Sequence, residues 1–369
     1  MKFASRMAKI DSSGIRKVFD LAARLKDPIN LSIGQPHFDV PEPIKDAAMA
    51  AIRAGKNRYT LTQGTAELRA QILAMLKSSR SWTPGEIIVT AGVSGGIMLA
   101  IMTLVDPGDE VIIPDPYFVM YKHLVNLCGG TPVFIDTYPD FKVRADKLRA
   151  AITDKTKLVV LNSPNNPTGA VYTRKDLEAI APVLAERNTL AFSDEIYDAF
   201  TYDEKFASLV DVYPQNTLLF GGFSKAWAMT GWRLGYAAGP ADIVREMIKL
   251  QQFSFVNAPS MVQEAGLAAL DYDTRPWCDE YRRKRDLIYN GLKDYYEVEK
   301  PGGAFYIFPK VPWGDDESFV KAAIDESLLV IPGSVFSEKH THFRISYAAS
   351  DETLHRGIEV LQKLAKNPK

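Results

Sequence analysis

The chain has little of several things that would mark other kinds of protein. It carries only two cysteines, Cys128 and Cys278, too few for a disulfide framework and without metal-ligand spacing, which fits a reducing compartment. No apolar run approaches the roughly 18 residues that span a bilayer, so no membrane segment is expected. The opening MKFASRMAKIDSSG has positive charges but no apolar core, so no secretory leader is expected either. Net charge is −1 over 369 residues, with no basic stripe to hold nucleic acid and no charged tail. Repeats and low-complexity stretches are absent, and no segment is left over for an appended DNA-binding module. His340-Thr-His342 offers two imidazoles, but with no cysteine or second cluster nearby it reads as a polar turn. What remains, with hydrophobic content of 46% and aromatic content of 11%, suits a globular enzyme with a large core, and the length suits two domains.

The middle of the chain alternates. Short β-branched runs at Glu86–Thr90, Glu110–Pro114, Thr131–Ile135, Lys157–Leu161, Thr189–Ser193 and Thr217–Phe220 are mostly separated by helical spacing, as in Ile97–Val105, Tyr117–Leu127 and Arg174–Arg187. Buried strands alternating with helices predict an α/β fold with a mainly parallel central sheet sandwiched between helices. Towards the C-terminus a long charged helix, Trp277–Tyr295, precedes strands at Ala304–Phe308, Leu328–Ile331 and Phe343–Tyr347 and a final helix capped by Ser350. This pattern predicts a second, smaller α+β domain.

Ligands in open α/β sheets bind beyond the carboxyl ends of the strands. Here those ends carry Gly92-Val-Ser-Gly-Gly96, Asp115-Pro-Tyr-Phe118, Asn162-Ser-Pro-Asn-Asn-Pro-Thr-Gly169, Asp194-Glu-Ile-Tyr197 and Gly221-Gly-Phe-Ser-Lys225. Different chemistry on successive loops reads as one site. The Gly92–Gly96 stretch also fits G-x-S-x-G, and a serine hydrolase using Ser94, Asp194 and His340 is one alternative. That reading leaves Lys225, Arg233 and the Asn-Asn-Pro-Thr-Gly turn without a task. A dinucleotide oxidoreductase would need G-x-G-x-x-G, which these glycines do not match. A third reading uses every loop. The Gly/Ser turn opening a helix offers N–H groups to a phosphate, and Arg233 adds a bidentate clamp. Desolvation turns Lys225 into a neutral amine for an aldehyde cofactor. Asp194, in preference to Glu195, supplies a carboxylate to a pyridine nitrogen, and Phe118 a flat face for stacking. Asn166 and Tyr197 donate to a phenolic oxygen, lowering the pKa of the imine.

With these residues assembled, the sequence resembles the class I pyridoxal-phosphate aminotransferases, of aspartate/aromatic type and fold type I. The resemblance rests on Gly222-Phe-Ser-Lys-Ala-Trp-Ala-Met-Thr-Gly-Trp-Arg-Leu-Gly235, Asn165-Asn-Pro-Thr-Gly169 and Ser193-Asp-Glu-Ile-Tyr197. It extends to Ile33-Gly-Gln-Pro-His-Phe-Asp39, Arg58-Tyr59 with Gly64 and Leu68-Arg69, and Phe343-Arg-Ile-Ser-Tyr-Ala348. It implies pyridoxal 5'-phosphate as cofactor, joined to Lys225 as a Schiff base, with Lys225 then moving the proton. It also implies Val93 and Ser94 on the phosphate, and Arg344 with Gly34 on the substrate α-carboxylate. Asn166 touches cofactor and substrate, and Phe118 borders both. A cytoplasmic homodimer is implied, with Tyr59 reaching the neighbouring subunit's phosphate. So are a large domain over 45–275 and a small domain made from 1–44 and 276–369. The expected reaction moves the amino group of an L-amino acid, aspartate or aromatic, to a 2-oxoacid such as 2-oxoglutarate. A C–S β-lyase of the same fold shares these residues and is the alternative. The sequence departs from some members: Gly222 stands where they place a phosphate-binding serine, and Phe118 where several have tryptophan. No arginine matches the one that some aspartate-specific members use for a side-chain carboxylate.

Overall fold

The computed structural model describes residues 3–11, 14 and 26–366. Parts of the expected small domain, residues 1–2, 12–13, 15–25 and 367–369, lie outside the described residues. The strands are β1 (Ile29–Asn30), β2 (Glu86–Ala91), β3 (Glu110–Asp115), β4 (Thr131–Asp136), β5 (Thr156–Asn162), β6 (Leu190–Asp194), β7 (Thr217–Gly222), β8 (Leu234–Gly239), β9 (Tyr306–Ile307), β10 (Leu328–Leu329), β11 (Ile331–Pro332) and β12 (Phe343–Ser346). Seven of them form the central sheet in the order β2-β8-β7-β6-β5-β3-β4. Pairing from β7 through β4 is parallel, whereas β8 runs antiparallel to both β2 and β7.

The expected α/β sheet is present, with one strand more than the sequence pattern indicated. Strand β8 reads Leu-Gly-Tyr-Ala-Ala-Gly, and its small residues hide it among loop signals. The smallness has a packing reason. A Cβ added to Gly235 would lie 2.6 Å from the Gly92 carbonyl carbon and the Val93 nitrogen, so β8 meets the start of helix Gly92–Leu104 backbone to backbone. That helix begins at Gly92 and not at Ile97, so the Gly/Ser stretch is its first turn and not a loop before it. Its glycines are tolerated because neighbours crowd them; a Cβ on Gly96 would come within 3.3 Å of the Phe220 ring.

The remaining strands are short. β1 pairs in parallel with β10, Ile29 opposite Leu328, and β12 lies between β11 and β9. The run Leu328–Ile331 thus serves two sheets and is not one strand. Pro332 has no N–H to extend the ladder. Of Ala304–Phe308 only Tyr306 and Ile307 are paired in β9. Helix Arg275–Leu292 packs on helix Asp351–Lys366, and Ser350 Oγ accepts from Thr353 N at 3.1 Å to cap the latter. Among the described residues, no helix is long and apolar enough to cross a membrane.

Parallel strands align their carboxyl ends along one edge. Asn162 of β5 stands directly opposite Asp194 of β6, and Asp194 opposite Phe220 of β7. Side chains from the loops beyond this edge converge there. The tight contact between β8 and the helix start predicts that Gly235→Ala will destabilise the protein by about 1–3 kcal/mol through overpacking, seen as a lower melting temperature. Gly231→Ala, where an added Cβ meets nothing within 4 Å, should leave the melting temperature nearly unchanged.

Candidate active site

A cavity of about 310 Å³ opens at the carboxyl edge of the sheet. Most of the sequence-predicted residues line it together. Val93 and Ser94 come from the first helical turn, Phe118 from the loop after β3, and Asn166 from the turn after β5. Asp194 and Tyr197 follow β6, Lys225 and Arg233 follow β7, Gly34 comes from the segment after β1, and Arg344 from β12. Tyr59 is not among the lining residues and is 85% exposed.

Lys225 Nζ donates to the Gly34 carbonyl at 2.6 Å and lies 5.6 Å from the centre of the Tyr197 ring. Burial, then the charges of Arg344 and Arg233, push its pKa down to about 7, with Asp194 opposing. Three cationic side chains and one carboxylate face the same space, so the amine loses its proton more readily than a surface lysine.

Asp194 is buried. Its Oδ2 accepts from the Tyr121 hydroxyl at 2.6 Å and its Oδ1 from Ile196 N at 3.3 Å. Burial pushes its pKa up to about 6, moderated by the Tyr121 hydrogen bond. Glu195 turns away, as alternation along a strand requires. It accepts from Ser193 Oγ at 2.8 Å, from Arg80 Nε at 3.2 Å and from Ser208 Oγ. Arg80 also bonds Asp198 at 2.6 Å. Glu195 is therefore part of an ion-pair network behind the sheet edge and does not line the cavity.

Arg344 is buried between the rings of Tyr306 and Phe336, at 4.7 and 4.6 Å. Its Nη1 donates to Asn166 Oδ1 at 3.0 Å and its Nη2 to the Ser32 carbonyl at 2.7 Å. Its Nε is buried without a partner among the described residues. Among the described residues no carboxylate pairs with it, and burial lowers its pKa from the usual arginine value. An unneutralised buried guanidinium is costly and suits an incoming anion. Asn166 is itself fixed, since its N–H donates to Asn162 Oδ1 at 2.9 Å.

At the other end of the cavity, Arg233 adopts φ 57 and its Nη1 donates to the Thr230 carbonyl at 2.9 Å. A Cβ on Gly92, whose φ is 72, would sit 2.8 Å from Arg233 Nη2. Glycine thus lets the guanidinium lie against the first turn of a 13-residue helix. N–H groups, the helix dipole and a cation together make a cradle for a phosphate. The donor set fits pyridoxal phosphate: a phosphate cradle at one end, a carboxylate for the ring nitrogen, an amine for the aldehyde and a buried guanidinium for a substrate anion.

The sequence reading missed Tyr306 and Tyr121 and gave no role to Asn162, though it counted the Asn162 loop in the site; all line the cavity or bond residues that do. Tyr121 and Tyr306 sit in apolar runs that read as core, and no spacing sets their hydroxyls apart. The hydrolase reading lacks its base. None of the chain's five histidines lines the cavity. His340 Nδ1 bonds Asp316 at 3.1 Å, and His342 stacks on Phe308 with ring centres 5.1 Å apart.

Because the neutral form of an amine grows above its pKa, aldehyde capture at Lys225 should rise with pH through a midpoint near 7. Replacing Arg344 by Met removes a cation that disfavours the protonated amine, so the midpoint should move up. Borohydride-fixed labelling of Lys225, quantified by mass across the pH range, checks both.

Comparison with known proteins agrees with this chemistry. A family model described as aminotransferase class I and II matches residues 26–361. A probable aspartate aminotransferase of Methanocaldococcus jannaschii is 41% identical, with 98% of this chain and 99% of that protein covered. The aromatic-amino-acid aminotransferase 2 of Thermococcus litoralis is 36% identical over the whole of both. The solved aspartate aminotransferase of Thermus thermophilus with maleate superposes with a TM-score of 0.95 at 35% identity, covering 99% of this chain and 100% of that one. An amine made acidic by burial beside a phosphate cradle, in a chain so closely matched along its length, is that of a pyridoxal-phosphate-dependent transaminase, and the chain belongs to the class I and II aminotransferases.

Proposed function

We propose that the cavity transfers the amino group of aspartate or an aromatic amino acid to a 2-oxoacid such as 2-oxoglutarate, with Lys225 moving the α-proton. The observation that carries the reading is the enclosed Lys225 amine, pushed down to about 7 in one cavity with Asp194, Arg233 and Arg344. Relatives named aspartate and aromatic-amino-acid aminotransferases support the donor class.

Pyridoxal phosphate, when bound, supplies a ring that draws electrons from the substrate α-carbon. In this reading Val93, Ser94 and Arg233 hold its phosphate, Phe118 covers its face, and Asn166 and Tyr197 meet its phenolic oxygen. Asp194 meets the ring nitrogen. Its carboxylate, raised to about 6 by burial, is returned towards the anion by a positive partner. Arg344 forks onto the α-carboxylate, assisted by the Gly34 N–H, and fixes the α-hydrogen relative to Lys225. Lys225 Nζ then accepts that proton as a base and returns it as an acid, and a pKa near neutrality serves both directions.

The chain works as a homodimer with Tyr59 of each copy reaching its neighbour's phosphate. Support comes from exposed apolar side chains, Tyr59, Leu61, Phe253, Phe255 and Val256, since such patches mark interfaces. The Phe255 ring lies 3.8 Å from where a Cβ on Gly95 would stand, beside the phosphate cradle. Residues 45–275 act as the cofactor-binding domain, and 1–44 with 276–369 as the smaller one. The β1–β10 pairing supports joining the two chain ends. Two free cysteines support a cytoplasmic location.

Several outcomes test this reading. A screen of amino acids against 2-oxoglutarate and pyruvate should show oxoacid-dependent transfer; ammonia release without an acceptor would favour the β-lyase. Arg344→Ala should lower kcat/KM for the amino acid by about 10–150-fold, the worth of hydrogen bonds to a charged group, and lose the preference for the acid over the matching amine. Arg344→Lys should recover part of it, lacking the planar fork. Equal slowing on acid and amine would assign Arg344 to the fold alone. Separately, Asp194→Asn should lose most activity while retaining cofactor. Glu195→Gln should keep most activity but melt earlier, because it weakens the buried pair with Arg80. Equal losses of activity would remove Asp194 from its role.

A further inference from the structure

Tyr306 has no part in the roles above. It is 1% exposed, in β9, and its ring lies under the Arg344 guanidinium at 4.7 Å. Its hydroxyl pairs with the Tyr197 hydroxyl at 2.8 Å. A Cβ on Gly34 would stand 2.7 Å from that oxygen, so glycine leaves the space the hydroxyl occupies. One side chain therefore touches Arg344, Tyr197 and the segment whose carbonyl accepts from Lys225.

Two hydroxyls facing each other have two arrangements. If Tyr197 donates to Tyr306, its own proton is used and it can only accept from the cavity. If Tyr306 donates, the Tyr197 proton is free to bond an anionic oxygen in the cavity. The surroundings favour the second. Burial raises the Tyr306 pKa above the usual phenol value, and the Arg344 guanidinium over its ring, which stabilises the phenolate, holds that rise in check. Burial, then the neighbouring Tyr306 hydroxyl, raises Tyr197 well above the usual phenol value, with Arg344 opposing. The more acidic hydroxyl is the better donor. Tyr197 is the hydrogen-bond partner found for the Tyr306 hydroxyl among the described residues, so its proton has one place to go.

We propose that Tyr306 is a positioning residue: its hydroxyl donates to Tyr197, directs the Tyr197 proton to the phenolic oxygen of the cofactor, and transmits the charge of Arg344 to that oxygen. The proposal rests on the assignment of Tyr197 to the cofactor and Arg344 to the α-carboxylate. Asn166 links the same two ends by a separate contact, its Oδ1 on Arg344. The chain thus holds two connections between its substrate cation and its cofactor, one through an amide and one through a pair of phenols.

The test is the pH titration of the visible absorbance of the cofactor-loaded protein, in the Tyr306→Phe, Tyr197→Phe and doubly substituted forms. A donor to an anionic oxygen lowers the midpoint, so Tyr197→Phe should raise it. Tyr306→Phe keeps the ring under Arg344 and removes only the hydroxyl. It should raise the midpoint by roughly 0.3–1 pH unit, as expected for one neutral hydrogen bond acting through another. The double variant should match Tyr197→Phe alone, because Tyr306 acts through Tyr197. A role confined to packing would lower the melting temperature without this non-additive spectral shift. An unchanged or lowered midpoint in Tyr306→Phe, with Tyr197→Phe shifted as expected, overturns the proposal and leaves the cofactor assignment standing. A Tyr306 shift that persists undiminished in the Tyr197→Phe background overturns it too. An unchanged midpoint in Tyr197→Phe removes the underlying assignment, and the proposal with it. Should Tyr306→Phe fail to fold, Gly34→Ala displaces the same hydroxyl and should raise the midpoint; no change there is a refutation.

Discussion

Much of this molecule is arranged around keeping one amine short of a proton. An ammonium in water holds its proton over three powers of ten more firmly than Lys225 does at about 7. The difference is bought by burial and by two guanidiniums aimed at the same cavity. Arg344, buried with no carboxylate partner among the described residues, is itself costly to hold, whereas Arg233 stays open to solvent. Arg344 is held by two aromatic faces, a carbonyl and an amide, and Arg233 by carbonyls at a helix start. Neutral partners support these cations without cancelling their charge, and the uncancelled charge acts on Lys225 and on incoming anions.

The same economy of partners appears in the sheet. Asp194 and Glu195 are adjacent, buried carboxyls with opposite duties set by the direction each faces. Among the described residues the Asp194 side chain accepts only from a phenol and a backbone N–H and keeps an oxygen's capacity for the cavity. Glu195 is consumed by Arg80 and two serines and ties the end of β6 to helix Ala66–Arg80. Close backbone approach at Gly92 and Gly235 sets the other wall, where side chains would keep β8 and the helix apart.

The sheet and the loops after its strands were legible because they use strong signals. These are β-branched runs, turn residues, and charged groups out of place in apolar surroundings, such as Lys225 and Arg344. What stayed hidden lacked contrast. Strand β8 is built from small residues chosen for close approach and not for strand propensity. The first turn of helix Gly92–Leu104 is glycine-rich for the same reason, so helical spacing began to show only at Ile97. Tyr121 and Tyr306 are hydroxyls embedded in hydrophobic runs, and only tertiary contacts give them hydrogen-bond partners. The two-residue strands β10 and β11 depend on partners distant in the chain, which no local pattern encodes.

The acceptors on the segment after β1 are joined to groups far along the chain. The Ser32 carbonyl meets Arg344 across a separation of 312 residues, and the Gly34 carbonyl meets Lys225 across 191. The strand leading into that segment finds its partner only in Leu328–Leu329. During synthesis all seven strands of the central sheet have been made once Gly239 is added, yet Arg344 and the strand that pairs with the N-terminal segment are still to come. The sheet edge with Asp194 and the loop with Lys225 are therefore encoded before Tyr306 and Arg344, so the C-terminal part of the chain supplies the last of the cavity wall.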